Sequence, residues 1–182
     1  MKSHHRHYSF FNNLAEKDSL LWRFKDIEYF NGEAVLLIRN PFEAIRSSWN
    51  HIYGGGLDLS IYSTKFKQFA CEESDMWLQI IIDWMLIGNN VIVVFYEDLV
   101  KDWEKELRTL LSQFLDIKPN EQRFECTKNM NLMSSKRKKM PLEDNPFDKR
   151  IADKINRNIN EAREILMKFN YKMPSYTNIF DI

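Results

Sequence analysis

Two continuous apolar runs constrain this chain more than any other feature. Ala34 to Ile38 reads AVLLI, and Val91 to Phe95 reads VIVVF. Neither alternates with polar residues, so neither offers a face to water. Such runs predict strands covered on both sides, the usual condition of a parallel sheet. Each run is punctuated. Asn31-Gly32 precedes the first and Arg39-Asn40-Pro41 closes it; Gly88-Asn89-Asn90 precedes the second and Tyr96-Glu97-Asp98 follows it.

Helical patterns fill the space between and after the runs. Proline suits the first turn of a helix, so a helix is predicted from Pro41 to about Tyr53 with Asn40 as its N-cap. Ser74 to Ile87 is apolar nearly all round and too long for a typical strand, which predicts a buried helix stopped by Gly88. Helical spacing continues over Leu99 to Leu115, where Asp98 would cap, and over Asp148 to Phe169. Asn131 to Phe147, rich in Ser, Lys, Arg and Pro, predicts an exposed loop. The pattern is that of an α/β fold: a three-layer parallel sheet with helices on both faces. In such folds ligands sit beyond the carboxyl ends of the strands. Arg39, Asn40 and Tyr96 to Asp98 fall there.

The 182 residues suit one domain over 1–182, with an irregular tail at 170–182. Net charge is zero, 26 basic against 26 acidic residues, which argues against a nucleic-acid binder acting through overall basicity. Cys71 and Cys126 are too few for a disulfide scaffold and match no metal spacing; pairing and buried thiols both stay open. No apolar run approaches the roughly 20 residues that span a bilayer, so the chain shows no membrane segment. The start of the chain has no apolar h-region of a secretion signal.

Four constellations could carry chemistry. In RNPFEAIRS, residues 39 to 47, a guanidinium at a strand end lies beside a helix N-terminus, a pairing suited to phosphate. Strand-Arg-Asn-Pro-helix is also a common turn. Lys136-Arg137-Lys138-Lys139 could clamp a phosphate or be a solvated basic stretch. Lys2-Ser3-His4-His5-Arg6-His7 offers a histidine base, a metal-binding histidine cluster, or merely exposed histidines. Tyr96-Glu97-Asp98-Leu99 closes the second strand.

Together and in this order, these segments resemble the sulfotransferases that use the nucleotide sulfate donor PAPS (3′-phosphoadenosine 5′-phosphosulfate). VLLIRNPFEAIRSSWN is similar to that family's 3′-phosphate segment, with Ser47 eight residues after Arg39. VFYEDL resembles its second nucleotide segment, KRKK its basic loop, and Lys2-Ser3-His4 its Lys-Thr-His. The branch most resembled is the WSC-domain-containing sulfotransferase-like one, through RNPFEAI, Trp49-Asn50, Tyr53-Gly54-Gly55, Asp83-Trp84 and Asn145-Pro146-Phe147.

The resemblance implies a P-loop NTPase-like sulfotransferase fold and in-line sulfuryl transfer from PAPS to a hydroxyl, often on a carbohydrate, with no metal. It implies Arg39 and Ser47 on the 3′-phosphate, Arg137 and Lys138 closing over it, and Tyr96 lining the nucleotide pocket. His4 would be the base and Lys2 would stabilise developing charge. The family begins with a strand and a phosphate loop that hold the 5′-phosphosulfate. No Gly-rich segment precedes Lys2, and Gly54-Gly55-Gly56 lacks the following lysine. The expectation is therefore an N-terminally truncated domain, the 3′-phosphate-binding half. The alternative is a non-catalytic fragment or pseudoenzyme that binds nucleotide or glycan without turnover. A nucleotide-triphosphate protein would need the G-x-x-x-x-G-K-[ST] that is lacking. An interaction module would use the basic loop instead. Full-length members of the family imply a Golgi membrane protein with a lumenal domain.

Overall fold

The computed structural model describes residues 26–53, 61–114, 117–129 and 145–177. Among these residues the sheet has two strands, β1 (Glu33–Ile38) and β2 (Asn90–Phe95), which run parallel in the register Glu33 to Asn90 through Ile38 to Phe95. The connection between them carries α1 (Pro41–Tyr53) and α2 (Thr64–Ile87). After β2 come α3 (Tyr96–Lys101), α4 (Trp103–Phe114), α5 (Glu121–Asn129) and α6 (Lys149–Lys168). Among the described residues no helix is long and apolar enough to cross a membrane.

The starts of the two strands are tied by a left-handed turn. Asn31 and Gly32 both take positive φ, and the Gly32 carbonyl accepts hydrogen bonds from the backbone N–H groups of Asn89 and Asn90 at 2.9 and 3.1 Å. Gly88 stops α2 as expected, though by close approach rather than by a left-handed cap. Its φ is −65°, and a Cβ there would meet Val91 Cγ2 at 2.4 Å and the Trp84 carbonyl oxygen at 2.5 Å. Alanine fits the backbone angles but not the space. Gly88→Ala is therefore expected to cost about 1–3 kcal/mol, the range for overpacking, measured by denaturant unfolding. An unchanged midpoint would mean that the turn into β2 opens freely.

The core lies on one side of the sheet. Leu36 and Ile38 of β1 and Val93 and Phe95 of β2 join α1, α2 and α6 in a single buried cluster. The long helices α2 and α6 pack on each other. Helix α6 buries the stripe Ile151, Ile155, Ile159, Ala162, Ile165 and Leu166, a three-to-four spacing that keeps one face inward. Asp148 caps it by accepting from the Ile151 N–H at 3.0 Å. Buried Asn158 then donates to the Ser74 carbonyl and hydroxyl at 3.0 and 2.9 Å, fixing the register of the pair.

Several sequence expectations need correction. Strand β1 is not covered on both sides: Val35 and Leu37 are 41% and 54% exposed, while Leu36 and Ile38 are buried. On that second face Val94 of β2 is buried, and α4 packs against β2. Cover thus reaches β2 but not β1, and the sandwich with helices over both faces is only part-built among the described residues. Helix α2 starts at Thr64, ten residues before the predicted helix, because Ser63 caps it by accepting from the Phe66 N–H. Nor is α2 buried all round, since Leu86 is 62% exposed. The helix expected over Leu99 to Leu115 is two helices. Asp98 is not its cap; Tyr96 already begins α3, and Asp102, with φ −148°, breaks the chain and caps α4 through the Lys105 N–H. Helix α5 buries only Phe124, so no apolar periodicity announces it in the sequence. No disulfide joins Cys71 and Cys126, and Cys126 is exposed. Most of the loop expected over Asn131 to Phe147 lies outside the described residues.

Candidate functional site

Parallel strands bring their C-terminal ends to one edge, and Arg39 and Tyr96 meet there. The Arg39 guanidinium lies over the Tyr96 ring, 4.6 Å from the centroid. That contact is a cation–π pair, worth about 0.5–1 kcal/mol at a partly exposed site. It arises because Ile38 and Phe95 are register partners, so the next residue of each strand projects from the same end. Arg39 also forms a loose ion pair with Glu43 at 3.6 Å. Glu43 simultaneously accepts from Arg46 at 3.1 Å. Two guanidinium groups therefore share one half-buried carboxylate at the first turn of α1.

The backbone around Arg39 is held from three directions. Its carbonyl accepts from the Trp77 indole N–H at 3.1 Å. The Asn40 N–H donates to Glu97 Oε1 at 2.9 Å, and the Asn40 amide donates to the Thr177 carbonyl at 3.0 Å. Asn40 Oδ1 in turn accepts from the Phe42 N–H at 3.1 Å, so Asn40 caps α1 as the sequence predicts. The second Glu97 oxygen accepts from the Tyr176 hydroxyl at 3.0 Å. Burial, then the Glu97 charge, pushes the Tyr176 hydroxyl well above its ordinary range, so it stays a donor at all physiological pH. The segment 171–177 has no helix or strand, yet Met173 and Tyr176 are buried and pin it across the sheet edge.

Of the seven residues singled out in the sequence, Arg39 and Tyr96 are in contact. Ser47 is exposed on the outer side of α1, in the turn that follows the Glu43–Arg46 pair. His4, Lys2, Arg137 and Lys138 lie outside the described residues. Sequence reasoning missed four supporting residues: Glu43, Trp77, Glu97 as a backbone anchor, and Tyr176. The Arg39, Glu43, Arg46 spacing was a readable signal for the first of these. The others reach across 38 or more residues and leave no local trace. Among the described residues no group of three or more His, Cys, Asp or Glu side chains could hold a metal ion.

A guanidinium at a strand end, stacked on a ring and next to a capped helix start, suits a phosphate. Arg39 offers five N–H donors, and its one weak carboxylate partner leaves donors for such a ligand.

Among the curated proteins this chain resembles are three WSCD family members. One from Drosophila melanogaster is 32% identical over 123 residues, covering 63% of this chain and 38% of that protein. One from Aedes aegypti is 29% identical over 146 residues, covering 76% of this chain and 46% of that protein. A third, from Drosophila pseudoobscura pseudoobscura, is 31% identical over 123 residues. The chain spans less than half the length of these WSCD relatives. No family model matches the chain, and no solved structure matches it.

Proposed function

We propose that this chain carries the 3′-phosphate-binding half of a PAPS-dependent sulfotransferase domain of P-loop NTPase-like fold. The observation that carries the reading is the Arg39 guanidinium held over the Tyr96 ring at the common C-terminal edge of two parallel strands. The likeness to WSCD family members supports it. Arg39 and Ser47 bind the 3′-phosphate, with Arg137 and Lys138 closing from the basic loop. Tyr96 lines the nucleotide pocket. His4 takes the proton of the acceptor hydroxyl, and Lys2 stabilises developing negative charge. The donor supplies the sulfuryl group, and the acceptor is a carbohydrate hydroxyl. The domain works on the lumenal side of the Golgi membrane.

Calorimetric titration with adenosine 3′,5′-bisphosphate, against adenosine 5′-monophosphate as control, tests the nucleotide reading. Tighter binding of the bisphosphate is the expected result. Equal or absent binding by a chain that still melts cooperatively would refute it. Sulfate transfer from PAPS to a hydroxyl acceptor by the same chain separates an enzyme from a protein that binds without turnover.

A further inference from the structure

Helices α1 and α2 leave a cleft of about 230 Å³ between them. Its walls are Ile45 and Ser48 from α1 and Glu73, Met76, Trp77 and Ile80 from α2. Most of this lining is apolar, but it contains two polar groups with no partner. The Ser48 hydroxyl is buried and makes no hydrogen bond, not even the backbone bond that a helical serine can form. The Glu73 carboxyl accepts no hydrogen bond and pairs with no cation among the described residues. A buried hydroxyl without a partner costs about 1–3 kcal/mol, and such groups in a native protein call for an explanation. Desolvation, then the neighbouring Glu72 charge, pushes the Glu73 carboxyl up to about 7. A lone water, whose share of liquid volume is about 30 Å³, would leave most of this space empty.

We propose that this cleft binds one pyranose sugar ring, with Trp77 and its aliphatic neighbours against the ring's C–H face and Ser48 and Glu73 on its hydroxyls. Small-molecule clefts usually measure about 300–1,000 Å³, so one ring fits here and an oligosaccharide does not. A sugar ring combines a flat apolar face with several hydroxyl groups, each of which both donates and accepts. That matches an apolar wall bearing one hydroxyl and one carboxyl. A purely apolar ligand would leave Ser48 and Glu73 unsatisfied, and an anion would meet like charge whenever Glu73 is ionised. The cleft also borders the nucleotide edge, because the Trp77 indole N–H is bonded to the Arg39 carbonyl. This inference rests on the reading above in taking the bound ring to be the acceptor. The binding itself does not depend on that reading.

The test follows the Trp77 indole N–H signal in ¹⁵N-labelled full chain during titration with methyl pyranosides, with glycerol as a control that has hydroxyls but no ring. The expected result is a saturable shift with at least one pyranoside and none with glycerol. Ser48→Ala and Glu73→Gln should each weaken that binding at least fivefold. Ser48→Ala should also melt no lower than the parent, since it removes an unsatisfied hydroxyl, so lost binding could not be blamed on unfolding. Both variants should bind adenosine 3′,5′-bisphosphate as the parent does. No pyranoside shift, or shifts unchanged in both variants, would overturn the proposal and leave a cleft that holds only water. Sugar binding without nucleotide binding would keep the cleft and sink the nucleotide reading instead.

Discussion

Replacing Arg39 by alanine should weaken binding of adenosine 3′,5′-bisphosphate by about 1.5–3 kcal/mol, roughly ten- to 150-fold, the range for hydrogen bonds to a charged group. Binding of adenosine 5′-monophosphate should barely change. The structure gives reasons to expect a clean result. Everything that holds the strand end in place acts on backbone or on Asn40: Trp77 on the Arg39 carbonyl, Glu97 on the Asn40 N–H, and Asn40 itself on Thr177. None of these bonds uses the arginine side chain. Glu43 keeps Arg46 as its partner at 3.1 Å when Arg39 is gone, so no buried carboxylate is orphaned. The only fold energy lost is the pair with Tyr96 and a 3.6 Å ion pair. Partly exposed ion pairs contribute about 0–1 kcal/mol. Arg39→Lys should fall between the two, because lysine keeps the charge but not the planar fork. An affinity unchanged in Arg39→Ala would remove Arg39 from any phosphate site and return strand-Arg-Asn-Pro-helix to an ordinary turn.

Much of the fold is local enough to be read from residues. Pro41 after Asn40 marks the start of α1, and the side chain of Asn40 does cap it. The stripe on α6 follows its apolar spacing, with Asp148 as cap. The two apolar runs are strands, and they are parallel. What misleads is hydrophobicity taken as burial. AVLLI and the end of α2 are apolar on every side, yet Val35, Leu37 and Leu86 face outward. Composition records which residues tolerate burial, whereas contact depends on what else packs there. Asp102 shows the opposite case. Nothing in the apolar spacing of 99 to 114 signals a break, because α3 and α4 share one periodicity. The break lies in a single residue's φ and in a cap that the periodicity does not see.

The candidate site divides along the same line. Arg39 and Tyr96 were legible because each ends a strand, and parallel pairing brings strand ends together. Their supporters were not. Trp77 sits mid-helix among apolar residues and looks like core, but its N–H is spent on the Arg39 carbonyl. Tyr176 lies in a stretch without secondary structure, yet it is buried and its hydroxyl donates to Glu97. The partnerless Ser48 hydroxyl is the least legible of all. In sequence it is one of two adjacent serines, and only packing distinguishes exposed Ser47 from Ser48 with its buried hydroxyl.

Phe66→Ala should be the most damaging single truncation in the core, lowering unfolding free energy by about 3–5 kcal/mol, the usual cost of a buried Phe→Ala change. Phe66 is fully buried at the first turn of α2. Its ring lies 5.4 Å from Trp49 of α1, nearly edge-on at 84°, and 5.5 Å from Phe147, just before α6. Phe147 in turn meets Phe42 of α1 at 5.2 Å. The four rings join three helices that share no backbone hydrogen bonds, and Phe66 touches two of the other three. Such aromatic pairs add about 0.5–1.5 kcal/mol beyond their buried area, so the loss falls at the upper end of the range. Phe66→Leu refills most of the volume without the edge-to-face contacts and should recover more than half of the loss. Denaturant unfolding of both variants measures the effect. A cost below about 1 kcal/mol for the alanine variant would mean that the rings do not pack as a unit. The effect should reach the candidate site, because Phe42 and Trp49 set how α1 lies, and α1 carries Glu43, Ser47 and Ser48. Phe66→Ala is therefore expected to weaken bisphosphate binding as well. The leucine variant should bind as the parent does.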